Sequence, residues 1–129
     1  PADKIIDYNT CLESLYASGP GDLTRKISQR GSMILATTEE ERESVYKFLK
    51  FVYNLRSGLV HGEGVRNLKY DGKNVSIEDV SYSLEEYARS SIKVFLKLII
   101  SYNGNDKNKK IVSDIDMSLI NRKKYLLLK

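Results

Sequence analysis

Residues 76–102 read SIEDVSYSLEEYARSSIKVFLKLIISY. Through this stretch Ile77, Val80, Leu84, Tyr87 or Ala88, Ser91, Val94 or Phe95, Leu98 and Tyr102 recur at the 3.6-residue period of one helix face. Ser76 with Asp79 three positions later forms a capping box that fixes the start. The stretch predicts a long central core helix, and the same period governs most of the remaining chain.

Working back toward the N-terminus, residues 62–76 hold Gly62, Gly64, Gly72 and Asn74, and the pair Asp71-Gly72 marks a turn, so a surface loop or short hairpin belongs there. Before it, Thr37 or Thr38 caps a third helix. Glu39, Glu40 and Glu41 in its first turn suit the helix dipole, and its stripe is Val45, Phe48, Leu49, Val52, Leu55 and Leu59. A second helix starts near the N-cap Asp22 and carries Leu23, Ile27, Met33 and Ile34 to about Ala36, with Gly31 a weak spot inside it. A first helix runs from about Asp3 to Ala17 on Ile5, Tyr8, Leu12 and Leu15 or Tyr16, and stops at Ser18, Gly19, Pro20 and Gly21. Beyond Tyr102, Asn103 to Lys110 reads as a polar linker, and Ile111, Ile115, Leu119 and Ile120 as a marginal fifth helix. The expected fold is all-α: an up-and-down bundle of four to five helices with one Gly-rich loop after the third. Residues 1–103 are expected to form the helical domain and 104–129 a basic linker with the marginal helix.

Composition agrees with one globular domain. The chain has 129 residues, 41% hydrophobic and 29% charged. Its longest apolar runs are far short of the ~20 residues that cross a bilayer. One cysteine, Cys11, excludes an internal disulfide and fits a reducing, cytoplasmic setting. One Cys and one His cannot supply a four-ligand zinc site, and neither a metal nor an organic cofactor is expected. The chain begins at Pro1 rather than Met, which reads as an excised domain of a longer parent. The net charge of +4 lies wholly in residues 104–129, whose seven basic side chains face Asp106, Asp114 and Asp116. Such a segment can neutralise nucleic-acid phosphates, although terminal lysines are more often simply solvated.

Chemistry narrows to His61, the only imidazole and the only group whose ordinary pKa lies near neutrality. Arg56 precedes it by five positions, about 140° away on a regular helix, so the two converge only where the helix ends or distorts. Gly58 and Gly62 permit that. Read without further context, His61 beside Gly62 is a helix C-cap and Arg56 an ordinary half-buried arginine. Glu13, within an apolar stretch, is a candidate structural partner for Arg30 or Arg56.

The stretch YNLRSGLVHG, Tyr53 to Gly62, resembles the R-x4-6-H signature of the HEPN superfamily, particularly its Apea-like branch. Arg56 matches the motif arginine, Ser57 the polar residue that commonly follows, and His61 the motif histidine. TCLESLY, Thr10 to Tyr16, is similar to the family's first-helix pattern, and Lys26 to Leu35 with Arg30 to the helix that follows. The resemblance covers roughly residues 3–100 and implies an all-α bundle that cleaves RNA without metal, as a homodimer whose Arg-His pairs share a cleft. The implied catalytic residues are Arg56, His61 and Ser57. A toxin or an effector of phage defence is the expected role. The alternative is a non-catalytic HEPN module that binds RNA or nucleotide, or dimerises, inside a longer protein. A toxin silenced by nucleotidyl transfer to a tyrosine two positions after the histidine fits less well, because Glu63 stands there.

Overall fold

The computed structural model describes residues 2–60 and 67–128. It is an all-α bundle of α1 (Ala2–Tyr16), α2 (Leu23–Leu35), α3 (Glu39–Val60), α4 (Ile77–Ser101), α5 (Lys107–Met117) and α6 (Arg122–Leu128), with a two-stranded ribbon, β1 (Lys69–Tyr70) and β2 (Lys73–Asn74), between α3 and α4. That gives six helices among the described residues where four or five were expected.

The helix starts follow the side chains that cap them. Asp22 accepts a hydrogen bond from the Thr24 backbone N–H at 3.0 Å, and Ser76 accepts one from Asp79 N–H at 3.1 Å. At α3, Thr38 Oγ1 accepts from Glu41 N–H at 3.1 Å while the Glu41 carboxylate reaches back to Thr37 N–H at 3.1 Å. The end of α1 is closed by cations from the next helix. Lys26 Nζ donates to the carbonyls of Ala17, at 2.8 Å, and Gly19, and Arg30 Nη1 donates to those of Tyr16 and Ser18 at 2.5 and 2.8 Å. Carbonyls that a helix C-terminus leaves bare, at its negative dipole end, thus meet two buried positive charges.

Between α3 and α4 the Asp71-Gly72 turn has positive φ at both residues, 53° and 76°, as a two-residue hairpin of the right twist requires. Lys69 pairs with Asn74 and Tyr70 with Lys73 in antiparallel register. The Tyr70 ring lies 5.8 Å from Phe48 and 4.9 Å from Phe51, which holds the ribbon to α3.

The core is built from Ile5, Leu12 and Tyr16 of α1, Ile27 and Ile34 of α2, Leu49 and Val52 of α3, and Leu84 and Phe95 of α4. Tyr16 meets Phe95 edge-on at 5.3 Å and donates its hydroxyl proton to Ser91 Oγ at 2.8 Å, so a buried phenol is both packed and satisfied. Burial raises its pKa well above the ordinary tyrosine value. Gly31 is less a weak spot than a fitting requirement: a Cβ there would sit 2.6 Å from Leu49 Cδ1, so α2 and α3 touch through a missing side chain.

Two expectations need correction. The buried stripe of α1 is Ile5, Asn9, Leu12 and Tyr16, with Tyr8 only partly buried and its place taken by an asparagine. The segment expected as a linker and marginal helix instead joins the domain. α5 begins at Lys107, and Ile111, Val112 and Ile115 are buried. Ile111 and Ile115 belong to the same core cluster as α1–α4, so no boundary falls at residue 103. The lysines of its first turn face outward and mask that pattern in the sequence. No helix among the described residues is long and apolar enough to cross a membrane.

Candidate functional site

Arg56 lies one turn after the buried Val52 on α3, and both face α1. There Asn9 donates to the Val52 carbonyl at 3.3 Å and to the Ile5 carbonyl at 2.9 Å. Glu13, one turn beyond Asn9, brings a carboxylate oxygen to 3.8 Å from Arg56 Nη1. The anticipated Glu13–Arg56 pairing is therefore present, as a long contact rather than a hydrogen-bonded fork. The guanidinium carbon also sits 5.8 Å from the Tyr53 ring centre, within cation–π range.

This seam concentrates unmet polar demand. Asn9 Oδ1, Glu13 Oε2 and Arg56 Nε are buried atoms without a hydrogen-bond partner, and all three lie where α1 meets α3. A buried donor or acceptor left unpaired costs about 1–3 kcal/mol, so such a cluster is unusual in a well-packed domain. The Arg56 side chain is 26% exposed, with its Nε buried. It is a cation with spare hydrogen-bonding capacity, held between a carboxylate and an aromatic face.

Ser57 is exposed, one position and about 100° round the helix from Arg56. His61 lies outside the described residues, as do Gly62 and Glu63. The structure thus places Arg56 and Ser57 side by side in the last turns of α3. Asn9 was absent from the sequence reading, although a polar residue at an i, i+4 position of an apolar stripe was a visible signal.

Other arginines are committed elsewhere. Arg30 donates Nε and Nη2 to the two Asp116 oxygens at 3.0 and 2.9 Å, in addition to its two carbonyls. Arg42 donates to Tyr125 Oη at 2.8 Å, beside a cleft of about 460 Å³ lined by Met33, Thr37, Leu119 and Ile120. Among the described residues no three His, Cys, Asp or Glu side chains come together as a metal site. No family model, curated protein or solved structure matches the chain.

Proposed function

We propose that this chain is an RNA-cleaving domain of HEPN type that works without a metal ion, as a homodimer, in a toxin or phage-defence effector. The observation that carries the reading is the half-buried Arg56, whose Nε lacks a partner and whose nearest anion among the described residues stands 3.8 Å away. A guanidinium so placed can take a phosphate by two parallel N–H···O bonds and remains charged at every working pH.

The chemistry follows from the residue types. The ribose 2'-oxygen attacks its own phosphorus while a base takes the hydroxyl proton; the bond from phosphorus to the 5'-oxygen breaks, and that oxygen accepts a proton. A cyclic 2',3'-phosphate and a 5'-hydroxyl result. An imidazole is the side chain ordinarily suited to moving a proton near neutral pH, which assigns that role to His61, and Arg56 offsets the negative charge that builds on the phosphoryl oxygens. The exposed Ser57 hydroxyl, adjacent to Arg56, is available to orient the phosphate. One imidazole per chain cannot readily serve as acid and base in the same step, which is why a second copy belongs in the proposal.

End-labelled single-stranded RNA incubated with the protein in EDTA tests this. Cleavage by the wild type, lost in folded Arg56→Ala and His61→Ala, is the expected result. Intact RNA with folded wild type, or equal cutting by the variants, defeats the nuclease reading; RNA retention without cutting would point instead to a binding module.

A further inference from the structure

The turn from α1 to α2 and the neighbouring side of α5 enclose a cleft of about 420 Å³, and neither Arg56 nor Ser57 lines it. Its charged lining is Arg25 and Arg30 of α2 with Lys109 and Asp116 of α5. Arg30 is buried and donates to both Asp116 oxygens, at 3.0 and 2.9 Å, so these two charges cancel. Arg25 and Lys109 remain. Both are exposed, Arg25 gives Nη1 to the neutral Gln29 side chain at 2.8 Å, and no carboxylate among the described residues pairs with either.

A lone surface cation is ordinarily just solvated, but these two enter one cleft from different helices. Ser113, one turn after Lys109, adds an exposed hydroxyl to the same lining. The carbonyls of the turn, which would repel an anion, are already occupied: Arg30 Nη1 donates to that of Ser18 at 2.8 Å, and Lys26 Nζ to that of Gly19. Lys26 is itself buried, so a further positive charge stands behind the turn. A concave site lined by uncompensated charge of one sign focuses its field and favours a counter-charge placed inside it. An ammonium and a guanidinium fork, both uncompensated, suit a phosphate group, which carries nearly two negative charges as a monoester and one per link in a strand. We infer that the cleft between the α1–α2 turn and α5 is a phosphate-binding site, with Arg25 and Lys109 as the side chains that hold the anion. The inference uses no residue of the nuclease reading and stands or falls separately from it.

Titration of the whole chain at constant ionic strength with inorganic phosphate, with AMP and with a 2'-O-methyl oligonucleotide, which cannot be cut through its 2'-oxygen, tests it. Saturable binding that moves the backbone amide resonances of Ser18, Gly19 and Ser113 is the expected result. Arg25→Gln combined with Lys109→Gln should weaken it at least about tenfold with unchanged helicity, since both side chains are exposed. Lys93→Gln combined with Lys97→Gln removes the same charge from the exposed side of α4 and should change it less than about twofold. Saturation by phosphate and AMP would identify a free phosphate ester as the ligand; saturation by the oligonucleotide alone would assign the phosphate to a strand. No saturable binding of any of the three would overturn the inference. So would equal losses in the two paired variants, or resonance changes confined to other parts of the chain.

Discussion

Arg30 and Arg56 are both arginines in helical seams of one bundle, and they do opposite things. Arg30 joins the end of α1 to α5: both Asp116 oxygens and two main-chain carbonyls take its protons, and its side chain is 8% exposed. Arg56 joins α3 to α1 through a single long contact with Glu13 and leaves Nε unmet. An arginine with four of its five N–H donors used by its own chain holds the fold. One with an unmet buried donor costs the fold something instead. Residue type is shared; burial and the count of satisfied donors separate the two roles.

The largest effect that can break this comparison is on stability at Arg30. Arg30→Ala removes four hydrogen bonds and strands the carbonyls that end α1, so unfolding in urea should show a loss of about 3 kcal/mol. Arg56→Ala, measured the same way, should cost less than about 1 kcal/mol, since its ion pair is long and its own desolvation is poorly repaid. Equal losses at the two sites would remove the ground for treating Arg56 as anything but structural.

Much of the bundle was legible in the sequence because it is written locally. Caps at Asp22, Thr38 and Ser76, the Asp71-Gly72 turn and the stripes of α3 and α4 all depend on residues within a few positions of one another. What escaped depends on distant partners. Arg30 and Asp116 lie 86 residues apart, and nothing near Asp116 marks it as more than one acid in a basic tail. The burial of α5 has the same origin: Ile111 and Ile115 gain their meaning only from the helices they meet. At the candidate site, Arg56 and Ser57 were readable as a motif, and the Glu13 contact as one of two alternatives. The orphaned Asn9, Glu13 and Arg56 atoms express a mismatch between two helices, which no single-helix pattern encodes.

A smaller effect sharpens the comparison at Glu13. If Arg56 binds phosphate, the Glu13 carboxylate competes for the same guanidinium. Glu13→Gln should then tighten binding of single-stranded RNA about two- to fivefold and steepen its dependence on salt by up to about 0.7 in log–log slope, as one more effective positive charge requires. Fluorescence anisotropy over a salt series, with His61→Ala present to prevent cutting, reads both. Weaker binding would make Glu13 a support for Arg56 rather than its competitor.

The smallest effect tests whether burial or mere pairing makes an arginine-type anchor. α5 carries two acids two residues apart: Asp116 holds the buried Arg30, while Asp114 holds Lys124 of α6 at 2.8 Å and accepts the Tyr102 hydroxyl proton at 2.6 Å. Partial burial pushes the Asp114 carboxyl upward, but these two hydrogen bonds outweigh it and leave its pKa below the ordinary value, while burial and the neighbouring carboxylate push Tyr102 above its own. A carboxyl lowered by folding contributes stability above the ordinary aspartate range, and that contribution disappears as pH falls through the lowered value. Because the Asp114 and Lys124 side chains are 31% and 39% exposed, so that water still screens the pair, Asp114→Asn should cost less than about 1 kcal/mol at neutral pH, and the difference from wild type should close below about pH 4. A cost at Asp114 equal to that at Arg30 would mean that ion pairing fixes this fold whether or not the pair is buried, and the distinction drawn between Arg30 and Arg56 would lose its physical basis.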